Sequence, residues 1–239
     1  MSLSGAVQLF PSDIHETSSS KQLPLGTKGE TSDGRVFRYT EAGGTALDPG
    51  KLCVAATIVA NHENMAVQAA AAVGDTSVSV TLGATAATAD DYADGYLIIN
   101  DAAGEGIAYR VSGHPAADAS ATLTVSLHDS VRVALTTSSQ ATLQKNPWKD
   151  VVVSATDQAD TPTGVPNVTI AADEYGWLQT KGVCSALADE TLTVGKDLTI
   201  GSSVAGALEI ADGAGEPIVA NAIQAGVDTE YRAVYMKID

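Results

Sequence analysis

The segment Gly74-Asp75-Thr76-Ser77-Val78-Ser79-Val80-Thr81-Leu82 is the clearest indication of secondary structure in the sequence. Its apolar residues Val78, Val80 and Leu82 alternate with serine and threonine after a Gly-Asp turn signal. Alternation with a period of two residues is typical of a β-strand that turns one face to the core and the other to water. This segment therefore predicts a half-buried strand.

Similar short apolar or alternating segments recur along the chain, separated by turns rich in glycine, aspartate and proline. Strands at intervals of about ten residues with such turns are typical of sandwiches and barrels. The segments are residues 35–39, 52–60, 96–99, 107–111, 123–127, 131–135, 168–171, 177–180, 192–194, 198–200, 207–211, 217–220 and 231–238. The sequence predicts an all-β protein of two small β-sandwich or β-barrel-like units with an extended N-terminal arm.

Breaks in the pattern suggest where the units begin and end. Lys145-Asn146-Pro147 and Thr161-Pro162-Thr163-Gly164-Val165-Pro166 interrupt the strands, and proline and glycine clusters of this kind mark loops and linkers. We predict an arm over 1–30, a β-rich domain over 31–145, a linker over 146–166 and a C-terminal β domain over 167–239. Residues 61–73 fit a helix or a strand, and the sequence does not choose between them.

The predicted arm carries turn-forming residues and no periodic face, yet it contains several large apolar side chains. Terminal segments without a partner surface usually fray. Apolar residues in such a segment therefore suggest docking on another surface. The candidate contact residues are Leu9, Phe10, Ile14, Leu23 and Leu25.

Composition excludes several classes of partner. The 239 residues include 13 Lys+Arg and 29 Asp+Glu, a net charge of −16. Nucleic acids and anionic membranes are bound through clusters of basic residues, and the sequence has no such cluster. It also shows no apolar run of membrane-spanning length and no export signal. We expect no nucleic-acid or membrane partner, and synthesis in the cytoplasm.

No catalytic or cofactor motif is evident. Gly104-Glu105-Gly106 lacks the third glycine of a dinucleotide-binding loop, and His62-Glu63-Asn64-Met65 is followed by Ala66 where a zinc protease needs histidine. His15 and His114 lie beside turns, where exposed histidines are common, and His128 ends a strand with its side chain expected in solvent. Cys53 and Cys184 are expected to be buried, reduced thiols. The sequence thus predicts a protein that is not an enzyme and has no cofactor.

The acidic stretch Asp90-Asp91-Tyr92-Ala93-Asp94 is the strongest metal candidate. Several carboxylates in one loop could bind Ca²⁺, but the stretch lacks the regular ligand spacing and the closing glutamate of a calcium loop. A solvated turn is the prediction, and no metal site is assigned.

Several segments resemble a family of tailed-bacteriophage virion structural proteins. They include Asp33-Gly34-Arg35-Val36-Phe37-Arg38-Tyr39, Tyr175-Gly176-Trp177-Leu178-Gln179-Thr180-Lys181-Gly182 and residues 25–29, 42–44, 49–52, 91–100, 104–109, 215–219 and 231–234. The resemblance implies a capsid decoration (cement) protein that binds the outer surface of the major capsid protein shell, on the exterior of the virion. It implies no enzymatic activity.

A cementing role also suggests self-association, and a homo-oligomer, with a trimer favoured, is expected. The alternative is a head-fibre or tail-associated protein that binds host surface glycans. Exposed Tyr92, Tyr96 and Tyr109 could then stack on sugars, although they could equally be core residues.

Overall fold

The computed structural model describes residues 5–156 and 160–239. Within them the chain forms seventeen strands and two short 3₁₀ helices, Asp13–His15 and Ala60–His62. The strands are β1 (Val7–Leu9), β2 (Lys28–Thr31), β3 (Val36–Glu41), β4 (Cys53–Val54), β5 (Met65–Ala66), β6 (Ser77–Thr81), β7 (Tyr96–Asp101), β8 (Ala108–Gly113), β9 (Thr122–Leu127), β10 (Gln140–Gln144), β11 (Val152–Val153), β12 (Pro162–Pro166), β13 (Tyr175–Leu187), β14 (Asp197–Ile200), β15 (Leu208–Ile210), β16 (Ala220–Ala222) and β17 (Tyr231–Lys237). The predicted all-β class is confirmed.

The chain divides into two compact units, and one of them is discontinuous in sequence. The sheet unit comprises the described parts of Met1–Ala56 and Pro147–Asp239, and the barrel unit comprises Thr57–Asn146. The end of the barrel unit at Asn146 lies within the predicted break at Lys145-Asn146-Pro147. The predicted boundaries after residues 30 and 166 do not separate compact units, because segments before and after the barrel unit pair with each other.

The sheet unit is organised around the long strand β13. Its partners are β3 on one side and β17 on the other, both antiparallel. The sheet order is β1-β2-β3-β13-β17-β16-β14-β15, and β12 also pairs with β13, while β4 pairs with β12 and β11. The predicted linker over 146–166 thus contains two strands of the sheet unit among its described residues. A boundary drawn from local breaks misses such long-range pairing.

The barrel unit is a six-stranded, nearly closed barrel with the order β5-β10-β7-β8-β9-β6. An isolated bridge between Val67 and Val80, and a hydrogen bond from the Gln68 N–H to the Ser79 carbonyl at 2.8 Å, bring its two ends together. In β6 the alternation predicted from sequence is confirmed, because Val78 and Val80 are buried. Ser79 on the opposite face hydrogen-bonds Thr124 of β9 at 3.0 Å.

Some predicted strands are shorter than expected or missing. Of residues 52–60 only Cys53–Val54 is a strand. The ambiguous 61–73 segment contains the end of a 3₁₀ helix, the two-residue β5 and isolated bridges, so it is neither a continuous helix nor a long strand. No strand forms over 131–135, 168–171 or 192–194, where Leu135 and Ile170 make isolated bridges. Val131 and Leu135 hydrogen-bond residues of the 71–75 segment, outside the regular ladders of the barrel unit.

Candidate docking site

The predicted arm is packed against the sheet unit of its own chain. Leu9, Ile14 and Leu25 are buried and form one core cluster with Phe37, Tyr39 and Trp177, against which Leu23 also packs. β1 pairs in parallel with β2, which continues into the sheet through β3. These four apolar side chains are therefore used within the chain itself.

Phe10 is the exception among the five predicted contact residues. Its side chain is 65% exposed, while its backbone N–H donates to the Asp13 carboxylate at 2.8 Å. The neighbouring Pro11 begins the turn that leads into the 3₁₀ helix Asp13–His15. The arm thus exposes Phe10 at the surface, and the 3₁₀ helix that follows it lines a groove.

That 3₁₀ helix forms one wall of an open groove in the sheet unit, with a volume of about 930 Å³. Ile14 and His15 line this groove together with Pro49, Pro166 and residues of β13 and β17. The groove is therefore assembled from segments that lie far apart in sequence. Only the long-range pairing of the sheet brings them together.

The floor of the groove is the outer face of the β13–β17 pair. Val183 and Ser185 alternate with the buried Gly182, Cys184 and Ala186, so the side chains of the first two point away from the core. In the antiparallel register Ser185 lies opposite Ala233. Val183 is 50% exposed, so part of this floor is apolar surface without a partner in the chain.

Tyr231 of β17 lies at the side of this floor and rests on Gly50. A Cβ atom at Gly50 would lie only 2.6 Å from the Tyr231 Cε1 atom, and Gly50 has a positive φ of 75°. The Gly50 carbonyl accepts a hydrogen bond from the Leu187 N–H at 2.9 Å, which ties the loop to β13. A glycine at position 50 thus holds an aromatic ring, 46% exposed, beside the groove.

The charge of the groove contrasts with that of the whole chain. Although the sequence has 29 Asp+Glu, none of the carboxylate side chains in the described part of the chain lines the groove, while Arg35, Arg232 and His15 do. Arg35 donates through Nε to Asp33 Oδ2 at 2.8 Å, and Arg232 pairs with Glu230. The carboxylates of both pairs are about half exposed and lie outside the lining.

Three side-chain amides, Asn167, Gln179 and Gln224, also line the groove. The Gln179 side chain is fully buried and donates to the carbonyls of Lys181 and Val183 at 3.1 and 2.9 Å. These hydrogen bonds lie where the register between β13 and β3 shifts, between Gln179 and Lys181. Gln179 therefore supports the shape of the groove floor.

The acidic loop in the barrel unit uses its carboxylates within the chain. Asp90 accepts a hydrogen bond from the His114 N–H at 3.0 Å, Asp91 pairs with Lys145 at 2.8 Å and Asp94 pairs with Arg110 at 3.0 Å. Across residues 5–156 and 160–239, no group of three or more acidic, histidine or cysteine side chains could hold a metal ion. The carboxylates of Asp90, Asp91 and Asp94 therefore hold the loop to other segments of the barrel unit.

The tyrosines proposed to stack on glycans are mostly inaccessible. Tyr92 and Tyr109 are each 1% exposed and belong to the core of the barrel unit, whereas Tyr96 is 39% exposed. The Tyr109 hydroxyl accepts a hydrogen bond from the Arg132 N–H at 3.0 Å. Two of the three tyrosines are therefore core residues.

Two histidines that sequence reasoning did not place inside the protein are buried around Tyr92. His62 Nδ1 lies 2.5 Å from the Tyr92 hydroxyl, and His62 Nε2 lies 3.0 Å from the Thr85 carbonyl. His114 accepts a hydrogen bond at Nε2 from the Tyr92 N–H at 3.0 Å, and its Nδ1 donates to the Pro115 carbonyl at 2.8 Å. Both ring nitrogens of each histidine therefore have hydrogen-bond partners inside the barrel unit. The exposed position expected for His114 is wrong. His128 is exposed, as predicted.

The two cysteines are free and buried, which confirms their prediction as reduced, buried thiols. Burial raises the pKa of the Cys184 thiol to about 12, and it also raises the pKa of Cys53. Both side chains are therefore protonated at neutral pH, and a protonated thiol is a poor nucleophile.

The described residues define an all-β protein of two units, and the sheet unit carries an open groove. No protein-family model matches the chain, and no curated protein or solved structure is similar enough to count as a match. None of the helices in the described part of the chain is sufficiently long and apolar to cross a membrane.

Proposed function

We propose that the chain is a bacteriophage capsid decoration (cement) protein that binds the outer surface of the major capsid protein shell and stabilises it without enzymatic activity. The observation that carries the proposal is the outer face of β13–β17, where exposed Val183 and Tyr231 border an open groove. Exposed apolar surface with polar surroundings is typical of protein–protein contact sites.

The distribution of apolar surface supports docking through the sheet unit. Most of the large apolar side chains exposed among the described residues belong to this unit, including Phe10, Val183 and Tyr235. The barrel unit instead turns many serine and threonine side chains outward, as in β9, where Thr122, Thr124 and Ser126 are exposed. We propose that the sheet unit contacts the shell and that many equivalent contacts add up across the lattice.

The packing of the arm changes the proposed mechanism. Leu9, Ile14 and Leu25 stabilise the fold of the chain, so the arm contributes Phe10 and the wall of the groove instead of an extended apolar strap. The homo-oligomer remains part of the proposal. The glycan-binding alternative loses support because Tyr92 and Tyr109 are buried.

Binding to isolated shells tests the proposal with a matched pair of variants. Val183→Asp places a charge on the groove floor, whereas Val73→Asp makes the same change at a 64% exposed position in the barrel unit. We expect Val183→Asp to lower the occupancy of the shells and Val73→Asp to bind like the wild type. Equal occupancy of both variants would remove the groove face from the contact, and no binding by the wild type would reject the proposed function.

A further inference from the structure

Two side chains of the groove keep hydrogen-bond donors that are not used within the described residues. Arg35 hydrogen-bonds a side chain only through Nε, and its guanidinium lies 5.6 Å from the centroid of the Phe37 ring, so its two terminal nitrogens remain available as donors. Gln224, which also lines the groove, accepts a hydrogen bond at its carbonyl oxygen from the Ala233 N–H at 3.2 Å, and its amide nitrogen donates to no other described residue. Donors of this kind are best matched by carboxylate oxygens.

Arg232 adds charge and rigidity to the same groove. Its guanidinium donates to the carbonyls of Ala225 and Tyr231 at 3.1 and 3.0 Å and pairs with Glu230. Because these bonds fix the side chain, Arg232 supplies a positive charge at a constant place. The groove therefore combines a fixed cation, Arg232, with an available one, Arg35.

The form of the groove suits an extended segment of polypeptide. Its floor is a strand pair with exposed Val183 and half-buried Ala233, and its lining also includes Pro11, Pro49 and Pro166. A groove of about 930 Å³ bounded by such residues has room for several residues of an extended chain. Apolar contacts would come from the floor, and charge selection would come from the arginines.

We infer that the groove binds an extended acidic peptide segment of the protein on which the chain docks, with Arg35 as the main carboxylate partner and Val183 as the main apolar contact. This inference rests on the proposed docking role and adds the chemistry of the partner. The whole chain carries −16, so long-range electrostatics oppose an acidic ligand and favour a basic one. A preference for the acidic ligand must therefore come from the groove itself.

Calorimetric titration of the full chain at low salt provides the test. The probe is the peptide Gly-Glu-Leu-Glu-Val-Glu-Gly with blocked ends, and the control peptide has lysine in place of each glutamate. We expect the acidic peptide to bind and the basic one not to bind. Arg35→Gln should weaken binding about tenfold, since a charge-assisted hydrogen bond is lost.

Arg132→Gln is the matched control, because it removes the same charge from an exposed side chain of the barrel unit. This variant should bind like the wild type. A second, independent variant, Ser185→Glu, places a carboxylate on the floor of the groove. Because like charges repel, this variant should abolish binding of the acidic peptide. Thermal melts of each variant confirm that the fold is intact.

Three results would overturn the inference. Tighter binding of the basic peptide would show that net charge dominates, and equal effects of Arg35→Gln and Arg132→Gln would show that the groove is not the site. Sedimentation that reveals a dimer abolished by Arg35→Gln would assign the groove to a second copy instead. Each of these results leaves shell occupancy to be measured separately, so the docking role can survive the loss of this inference.

Discussion

Arg38 and Asp239 form a two-pronged ion pair between β3 and the end of the chain. Arg38 Nε lies 2.7 Å from Asp239 Oδ2, and Nη2 lies 2.7 Å from Oδ1. Thr180 of β13 donates to the same carboxylate at 2.8 Å. The pair thus connects segments that lie on opposite sides of the barrel unit in sequence and share one sheet in the structure.

This ion pair predicts a pH-dependent contribution to stability. The Arg38 hydrogen bonds hold the pKa of Asp239 below its ordinary value. A carboxyl group with a lowered pKa in the folded state stabilises the fold above its unfolded pKa of about 3.9 and loses this effect as the pH falls through the folded pKa. Asp239→Asn should therefore lower the free energy of unfolding at pH 7 by about 1 kcal/mol or less, since the pair is partly exposed and screened.

Urea unfolding at pH 7 and at a pH below the folded pKa of Asp239 measures this contribution. The difference between wild type and Asp239→Asn should shrink in acid. Asp228→Asn, at an exposed aspartate, serves as the control and should change neither value. An equal effect of Asp239→Asn at both pH values would contradict the assigned role of the pair.

The contribution of Asp189 to stability should depend on pH in the opposite direction to that of Asp239. Burial raises the pKa of this carboxyl, and the neighbouring Glu209 raises it further. Its Oδ2 accepts a hydrogen bond from the Ser203 N–H at 2.7 Å, whereas the buried Oδ1 accepts none from residues 5–156 and 160–239. A group with a raised pKa contributes full stability below its unfolded pKa, and this contribution is lost as the pH rises through the folded pKa.

Asp189→Asn removes the buried charge and can still accept the Ser203 hydrogen bond. The variant should therefore gain stability relative to wild type as the pH rises from 4 to 7, by up to about 1 kcal/mol after allowance for solvent screening. Melting temperatures across this pH range provide the measurement. A variant that is less stable than wild type at pH 7 would show that the Asp189 charge is needed by the fold.

Alanine substitutions at Gly50 and Gly34 can be compared to isolate the contribution of the contact between residue 50 and Tyr231. Both have positive φ, 75° and 82°, but a Cβ at Gly34 would meet no atom within 4 Å. Gly34→Ala should cost about 1 kcal/mol from backbone strain alone. Gly50→Ala should cost more and should also reduce shell binding, because the Tyr231 ring must move. If both variants lose the same stability in urea unfolding, the ring contact contributes nothing.

The sequence predicted the local pattern of this fold better than its long-range connections. The alternation around Val78 was sufficient to predict β6, because the position of a residue within its strand determines the face on which its side chain lies. Val131 and Leu135 are buried without forming a strand, because each makes only an isolated pair of backbone hydrogen bonds with the 71–75 segment. The groove could not be predicted, since Arg35, Gly50, Val183 and Tyr231 meet only through sheet pairing.

The buried histidines show a second limit of sequence reasoning. His62 lies in a 3₁₀ helix that no periodic pattern marks, and its partner Tyr92 belongs to a loop that the sequence suggested as a metal candidate. A hydrogen bond between residues thirty positions apart leaves no local signal. Polar residues in a barrel interior are therefore recognised only once the strands are placed.

Tyr92→Phe tests the importance of that buried network. Removal of the hydroxyl leaves His62 Nδ1 without its partner, and an unsatisfied buried polar atom costs about 1–3 kcal/mol. Tyr96→Phe makes the same chemical change at an exposed tyrosine and should have almost no effect. Comparison of the two unfolding free energies gives the result, and equal values would show that the Tyr92 hydroxyl does not stabilise the barrel unit.

The proposed decoration of a capsid shell can be tested by counting the copies of the chain in the virion. Quantitative mass spectrometry of purified particles, calibrated against the major capsid protein, provides that number. Because lattice binding repeats one contact at every equivalent position, we predict on the order of hundreds of copies per particle. A count of only a few copies, or none, would contradict the proposal.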